Sequence, residues 1–302
     1  MDTLRIIQRF YHPFYTPQFV VMHLGVLAQE GLRVEMSTAT SAAEVNEKLL
    51  SGAADVGLGG PIRTLEMAEH HNPGKLVSFI EVNSRDGFFL LAREPRPQFQ
   101  WTDLVGRRLL LFAEAPTPWL CLQHVLRRHG VDPRSVQVRQ DLVTADAVAA
   151  FLRGEADYLE QSQPATETLI SAGQATLVAA EADVVGALPF SAYLTTPAFM
   201  AGHADVLRRF TRAVYGAQQW LAQHAAEDLS ALIAPSFPDI APALRTRILA
   251  RYLRQQTWAH DPLLRQEGFE HLQDILLGAG FTTRRYPYSD HVNTEFAEAA
   301  MA

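Results

Sequence analysis

The sequence predicts an α/β protein of two lobes, each a mixed sheet flanked by helices, with a cleft between them. Three observations carry that expectation. First, five features occur twice in the same order, over residues 4–61 and 109–164. Each copy opens on an apolar run (LRIIQRF; LLLFAEA) and passes a Thr-Pro pair, Thr16-Pro17 and Thr117-Pro118. Each then follows an apolar helical stretch to Gly31-Leu32 or Gly130-Val131, a short strand (RVEMSTA; SVQVRQD), and an Ala-rich helix closing in SGAADVGLGGP or RGEADYLEQSQP. Two β-α-β-α-β units call for two lobes. Second, 302 residues of 48% hydrophobic and 20% charged composition suffice for two globular domains. Third, beyond Pro197 the pattern turns helical, with Val206, Phe210, Val214, Ala217 and Leu221 on one face at three-to-four spacing.

Residues 4–10 form the expected first strand, and 11–17 a loop. Residues 19–28 read as a buried helix closed by Gly31. A second strand covers 34–37. Thr40 or Ser41 caps a helix over 42–51, with Glu44 in the first turn, where the helix dipole favours negative charge. Residues 55–58 make a third strand that enters Gly59-Gly60-Pro61, and a helix starts near Ile62. Strands at 76–81 and 87–92 are joined by 82–86. Pro95, Pro97 and the turn Thr102-Asp103-Leu104 precede the second copy. A helix over 165–172 and a strand over 175–180 follow, and 186–195 carries the chain back to the first lobe. Helices are expected at 242–257, 262–267 and 270–277, whereas 288–302 has no strong period. No low-complexity linker occurs, so two short, ordered crossings are expected.

The balance of charge and the single cysteine exclude several classes. A formal charge of -7 with no Lys/Arg-rich run argues against nucleic acid as a partner. No apolar stretch reaches the length needed to span a bilayer. Cys121 has no mate for an intramolecular disulfide, and reads as a small packed apolar group. His70 and His71 are neighbours on a helix and point apart, so no metal is expected, and no cofactor either. The start MDTLRIIQRF lacks the basic and apolar regions of an export signal, so the chain as written reads as cytoplasmic. A G-x-S-x-G elbow is absent.

Four stretches resemble the type II periplasmic solute-binding proteins, in the group for sulfonates, taurine, nitrate and thiamine pyrimidines that also holds the fungal pyrimidine-precursor synthase. They are 15–36, with Gly25, Glu30, Gly31, Leu32 and Val34; 42–58, with Leu49, Gly52, Asp55 and Gly57; 103–108, DLVGRR; and the end, with Gly268, Leu272, Gly280, Tyr288, Asp290 and Phe296. The resemblance implies discontinuous lobes, 1–92 with 193–302 and 93–192, closing on a ligand by hinge motion. It implies a substrate-binding component of an ABC-type importer, or a sensor derived from one, with an ABC permease as partner and a periplasmic location. The alternative is a cytoplasmic enzyme on the same fold. The synthase's Lys and His fall on Gly59 and Arg63 here, and its cysteine motif falls on GALPFSAYL. Its chemistry therefore does not carry over, nor does that of the related sulfinate desulfinase, whose loop cysteine is missing.

In an open α/β lobe, ligands meet the carboxyl ends of strands and the amino ends of helices. Four loops qualify. In the first, which holds Tyr11, His12, Phe14, Tyr15 and Thr16, the rings of Tyr11, Phe14 and Tyr15 offer faces for a flat ligand. In the second, Gly59 and Gly60 allow close backbone approach, and Arg63 suits a bidentate clamp on a carboxylate, sulfonate or phosphate. In the third, Asn83, Ser84, Arg85 and Asp86 read either as ligand contacts or as a turn in which Arg85 pairs with Asp86. In the fourth, on the second lobe, Glu114, Thr117, Trp119, Tyr158, Glu160 and Gln161 could wall the cleft, with a carboxylate accepting from a heterocycle's amino group. Phe190 and Tyr193 complete the candidates. The expected ligand is small, planar or short-chained, with one anionic group.

Overall fold

In the computed structural model, which describes residues 1–302, β1 (Asp2–Gln8) is followed by a one-turn helix over Pro13–Tyr15. The single helix expected next is two, α1 (Thr16–His23) and α2 (Val26–Gln29). Gly25 separates them at φ 86°, a left-handed conformation that glycine adopts without a Cβ clash. Then come β2 (Leu32–Thr38), α3 (Ala42–Leu50), β3 (Val56–Gly59), α4 (Ile62–Glu69) and β4 (Val77–Asn83). Ser41 is the cap of α3. Its hydroxyl accepts from Glu44 N at 3.1 Å, and the Glu44 carboxylate accepts from Thr40 N at 2.7 Å.

The next stretch holds β5 (Phe89–Ala92), β6 (Arg108–Leu110), α5 (Thr117–Arg128), β7 (Gln137–Arg139) and α6 (Thr144–Leu152). It continues with β8 (Tyr158–Gln161), α7 (Ala165–Ser171), β9 (Thr176–Ala180) and α8 (Ala182–Val185). The chain returns through β10 (Ser191–Thr195) to α9 (Pro197–Gly202), α10 (Ala204–Ala222), α11 (Ala226–Leu232) and α12 (Pro242–Arg254). Where two helices were expected after Pro262, one runs as α13 (Gln266–Gly278). The tail, without a legible period, forms α14 (Tyr288–His291) and α15 (Glu295–Met301).

The strands make two mixed five-stranded sheets, β2-β1-β3-β10-β4 and β7-β6-β8-β5-β9. In the first, β1 runs parallel to β2 and β3, and β10 runs antiparallel to β3 and β4. In the second, β6 runs parallel to β7 and β8, and β5 runs antiparallel to β8 and β9. Each sheet thus has one antiparallel strand in the same fourth place. That is the expected α/β class.

The duplication extends to single hydrogen bonds. Asp55 accepts from Arg5 N at 2.7 Å and Arg5 Nε at 3.1 Å, and Asp55 N donates to Arg5 O. Asp157 accepts from Arg108 N at 3.0 Å and Arg108 Nε at 3.3 Å, and Asp157 N donates to Arg108 O. The same clasp therefore ties the third strand to the first in both sheets. The Asp55 side chain is 7% exposed and that of Asp157 34%. Asp55→Ala is expected to lower stability by about 1.5–3 kcal/mol, as for hydrogen bonds to a charged group. Asp157→Ala, more open to solvent, should cost less. Denaturation midpoints at unchanged slope give the comparison; an Asp55→Ala midpoint equal to wild type would mean the first clasp contributes nothing.

The compact units are Met1–Ser84 with Leu188–Pro242 and Trp258–Ala302, and Arg85–Ala187 with Ala243–Thr257. We call them the first and second lobes. They depart from the expected bounds in three places. Residues 85–92 belong to the second lobe, because β5 pairs with β8 and β9. Residues 188–192 belong to the first, because Leu188 N and Phe190 N donate to Ser84 O and Asn83 O and β10 enters that sheet. Nearly all of α12 belongs to the second, where Arg251 pairs with Glu167 at 2.7 Å and Tyr252 accepts from Gln163 N at 3.2 Å. The chain therefore passes between the units four times, not twice.

Each lobe has its own core. Ile7, Val45, Leu49, Ala54, Met67, Leu76 and Leu194 pack together in the first, and Leu91, Leu110, Ala150, Phe151, Leu159 and Leu169 in the second. Gly57 fits between two of these side chains. A Cβ there would stand 2.9 Å from Leu49 Cδ1 and 3.1 Å from Leu194 Cδ1.

Candidate functional site

Strands β1, β3 and β4 end, and β10 begins, at one edge of the first sheet. The register sets Gln8 beside Leu58, Gly59 beside Ala192, and Ser191 beside Asn83. Gln8 and Asn83 are fully buried and Ser191 nearly so. Neither amide atom of Gln8 or Asn83 has a hydrogen-bond partner, and neither does Ser191 Oγ. A buried polar atom left unsatisfied costs about 1–3 kcal/mol, so interiors seldom keep them. Three such side chains, on β1, β4 and β10, lie along one edge of the first sheet.

Arg63, in the first turn of α4, belongs to the same edge. Its Nη1 donates to Ala42 O at 2.7 Å and to Asn46 Oδ1 at 3.0 Å. That holds the guanidinium fixed by one corner. Its Nε is buried with no partner, and Glu66 acts on it through space without forming an ion pair. Burial pushes the Arg63 pKa down, partly countered by nearby Tyr15 and Glu66, while the residue stays charged at any ordinary pH. Gly59 stands against this group: a Cβ there would lie 3.4 Å from Nη2 and 3.8 Å from Nε. The Nε–Nη2 side is the one that binds a planar oxyanion through two parallel bonds.

Aromatic rings lie next to these groups. Phe14 and Phe190 meet edge to face at 5.5 Å, and Phe14 and Tyr15 lie tilted at 5.6 Å. Trp258 Nε1 donates to Phe14 O at 2.9 Å, and Trp258 bridges to Asn83. Burial pushes the Tyr15 phenol up to about 12. His12 and Thr16 shape this loop: His12 Nδ1 accepts from Phe14 N, and Thr16 Oγ1 donates to Pro13 O. Tyr11 is 47% exposed, with its ring on Phe19 and Phe237 at 4.8 and 5.5 Å. Gly60 accepts from Arg63 N and closes the turn into α4.

The second-lobe candidates have separate settings. Glu114 accepts from Thr144 N at 3.0 Å, at the start of α6. Thr117 is buried at the start of α5. Trp119 lines a shallow depression with Gln123, Arg127, Pro133 and Val138. Glu160 points inward, fully buried, and accepts from Phe112 N at 2.9 Å. The 83–86 stretch divides between the units: Asn83 ends β4, Arg85 begins the second lobe half-exposed, and Asp86 turns inward to accept from Phe88 N. The lobes' own residues thus group Gly59, Gly60, Arg63, Asn83, Phe14 and Phe190 on the first. Gln8, Ser191 and Trp258 belong with them and were missed. A glutamine ending an apolar strand reads as its solvent end, and Trp258 lies far away in sequence.

Two sheets of this topology, with polar and aromatic groups at the carboxyl edge of the first, define a protein of the periplasmic-binding-protein fold. The chain belongs to the NMT1/THI5-like family, whose family model matches residues 12–228. It is 29% identical over 286 residues to a protein of Bacillus subtilis (strain 168) named "Putative binding protein YtlA", covering 94% of this chain and 86% of that one. The alkanesulfonate-binding protein SsuA from Xanthomonas axonopodis pv. citri, bound to MOPS, shares the fold at TM-score 0.72 and 19% identity, over 97% of this chain and 98% of that one. The zinc-bound ligand binding component of an ABC-type import system from Staphylococcus aureus does so at 0.78 and 11%, over 99% of each. The desulfurization enzyme DSZB has the fold too, at 0.75 and 16%, over 100% of this chain and 99% of that one. No helix is long and apolar enough to cross a membrane.

Proposed function

We propose that this chain binds a small organic solute with one anionic group, of sulfonate, carboxylate or pyrimidine type. It serves as the solute-binding component of an ABC-type importer, or as a sensor derived from one. On the importer reading it works in the periplasm and hands its ligand to a permease. The observation that carries the reading is the buried, carboxylate-free guanidinium of Arg63, fixed through Nη1 with Nε unsatisfied. An anion there would supply the missing acceptors and charge. Gln8, Asn83 and Ser191 would take the polar remainder of the solute, and Phe14 and Phe190 its apolar part.

Native mass spectrometry of the purified chain, followed by calorimetric titration with alkanesulfonates, aryl carboxylates and aminopyrimidines, tests the reading. One anionic class should bind and release heat. Saturation by neutral solutes alone would sink it. Gly59→Ala sharpens the test: its methyl would cover the Nε–Nη2 side at 3.4–3.8 Å. Affinity for the anionic solute should fall about tenfold, the equivalent of roughly 1.4 kcal/mol.

A further inference from the structure

Inside the second lobe, three carboxyl groups and a thiol converge with no base among them. Asp86 comes from the turn before β5, Glu160 from β8, Glu181 from the end of β9, and Cys121 from α5. All four residues are fully buried. Glu160 stands opposite Leu90 of β5, and Glu181 N donates to Phe88 O on the other edge of that strand at 3.3 Å, so the two acids flank β5; burial, then Asp86 and Glu181, push the Cys121 thiol up. Each carboxylate oxygen can only accept unless it carries a proton. Asp86 Oδ2, Glu160 Oε1 and both oxygens of Glu181 find no N–H or O–H donor. Ionised together, these acids would meet only as acceptors, and protons between them remove that conflict.

The arginines of the helices packed on the cluster, Arg128 and Arg251, are committed elsewhere. Arg128 of α5 donates to Val184 O. Arg251 of α12 pairs with Glu167, and Gln255 reaches only the Asp86 backbone carbonyl. Arg85 is half-exposed, Asp183 of α8 is exposed, and His124 of α5 is engaged in an interaction of its own. Burial is the largest influence on each acid. It pushes Asp86 up to about 7 and Glu160 up to about 8, and with help from Glu160 and Asp86 it raises Glu181 well above the usual carboxylate range.

We propose that this cluster is a proton-held latch: protonated, it keeps the turn before β5 closed and the loop after β6 fastened to β8, and losing its protons releases them. The bond from Phe112 N to Glu160 ties the loop to β8, and the bond from Phe88 N to Asp86 closes the turn on itself. Both bonds favour the ionised acid, so release comes from repulsion between anions. One anion can be shared among the acids. A second and third cannot stay together in a low-dielectric site, so a side chain must turn out to water. The loop after β6 leads to Glu114, Thr117 and Trp119. An effect on solute binding rests on the function proposed above; the latch itself does not.

The sign follows from linkage. The folded state holds protons that the unfolded chain, with carboxyls near 4, has already released. Stability is therefore greatest below that range and falls as pH rises through about 7 and 8. The test uses the full chain without ligand. Infrared absorption at pH 7 should show protonated-carboxyl intensity that weakens as pH rises through 8 and that Glu181→Gln reduces, which sets it apart from the buried Glu81 of the first lobe, itself pushed up to about 8. Hydrogen exchange, corrected for intrinsic rate, should show protection around Phe88 and Phe112 lost over the same range. In Glu181→Gln, which leaves two acids, the loss of protection should move to higher pH, and the fall of melting temperature between pH 5 and 8, below the usual thiol range, should become shallower. Glu160→Gln is the second variant should the first fail to fold. Absence of a protonated carboxyl at pH 7, or parallel pH curves for wild type and variant, overturns the proposal, and neither outcome bears on Arg63 or the solute.

Discussion

Tyr252→Ala should destabilise the second lobe by about 3–5 kcal/mol, the range for emptying a buried aromatic site. Tyr252 is fully buried on α12, the one segment from beyond residue 242 that packs into that lobe. Its ring lies 6.1 Å from that of Phe89 on β5, and its hydroxyl accepts from Gln163 N at 3.2 Å. Truncation would remove the ring and leave a buried N–H without that acceptor. Tyr252→Phe keeps the packing and should cost about 1 kcal/mol, the net worth of one hydrogen bond. Circular dichroism and the tryptophan signal, followed together in denaturant, would show the second lobe melting first in the alanine variant. A wild-type midpoint would mean that α12 is not part of this lobe's folding unit.

The helix also shows where sequence reading stops. Its amphipathic pattern says that one face is buried, and Ile248, Leu249 and Tyr252 are. It does not say against which lobe. That choice is fixed by Arg251 meeting Glu167, 84 residues away, and no local signal announces such a pair. The duplicated units were legible because each is local: strand, helix and strand follow within fifty residues, and Asp55 and Asp157 sit at matching places in the closing phrases. Strand β5 was legible as a strand, but its partners were not. Alternation identifies a strand and leaves its neighbours open.

The site divides along the same line. Gly59, Gly60 and Arg63 follow a strand and open a helix, a context readable from residues alone. What could not be read is that Arg63 is held by Ala42 O and Asn46 of α3. Glu160 shows the converse. Expected to wall a cleft and accept from a heterocycle's amino group, it lies instead among other acids in the interior.

Arg63→Ala should weaken binding of the anionic solute about tenfold to a hundredfold or more. Hydrogen bonds to charged groups contribute about 1.5–3 kcal/mol, and each 1.4 kcal/mol is a factor of ten. Arg63→Lys should recover little of the loss, because an ammonium cannot offer two parallel N–H groups from a fixed plane. Stability should change much less than affinity. The substitution gives up the bonds to Ala42 O and Asn46, but it also removes a charge that is buried without a counter-charge. Calorimetric affinity and melting temperature, measured on the same samples, separate the two effects. Wild-type affinity in Arg63→Ala would show that the anion is held elsewhere. A parallel collapse of stability would show that this arginine serves to fasten α3 and α4, and that the edge formed by Gln8, Asn83 and Ser191 meets its ligand without it.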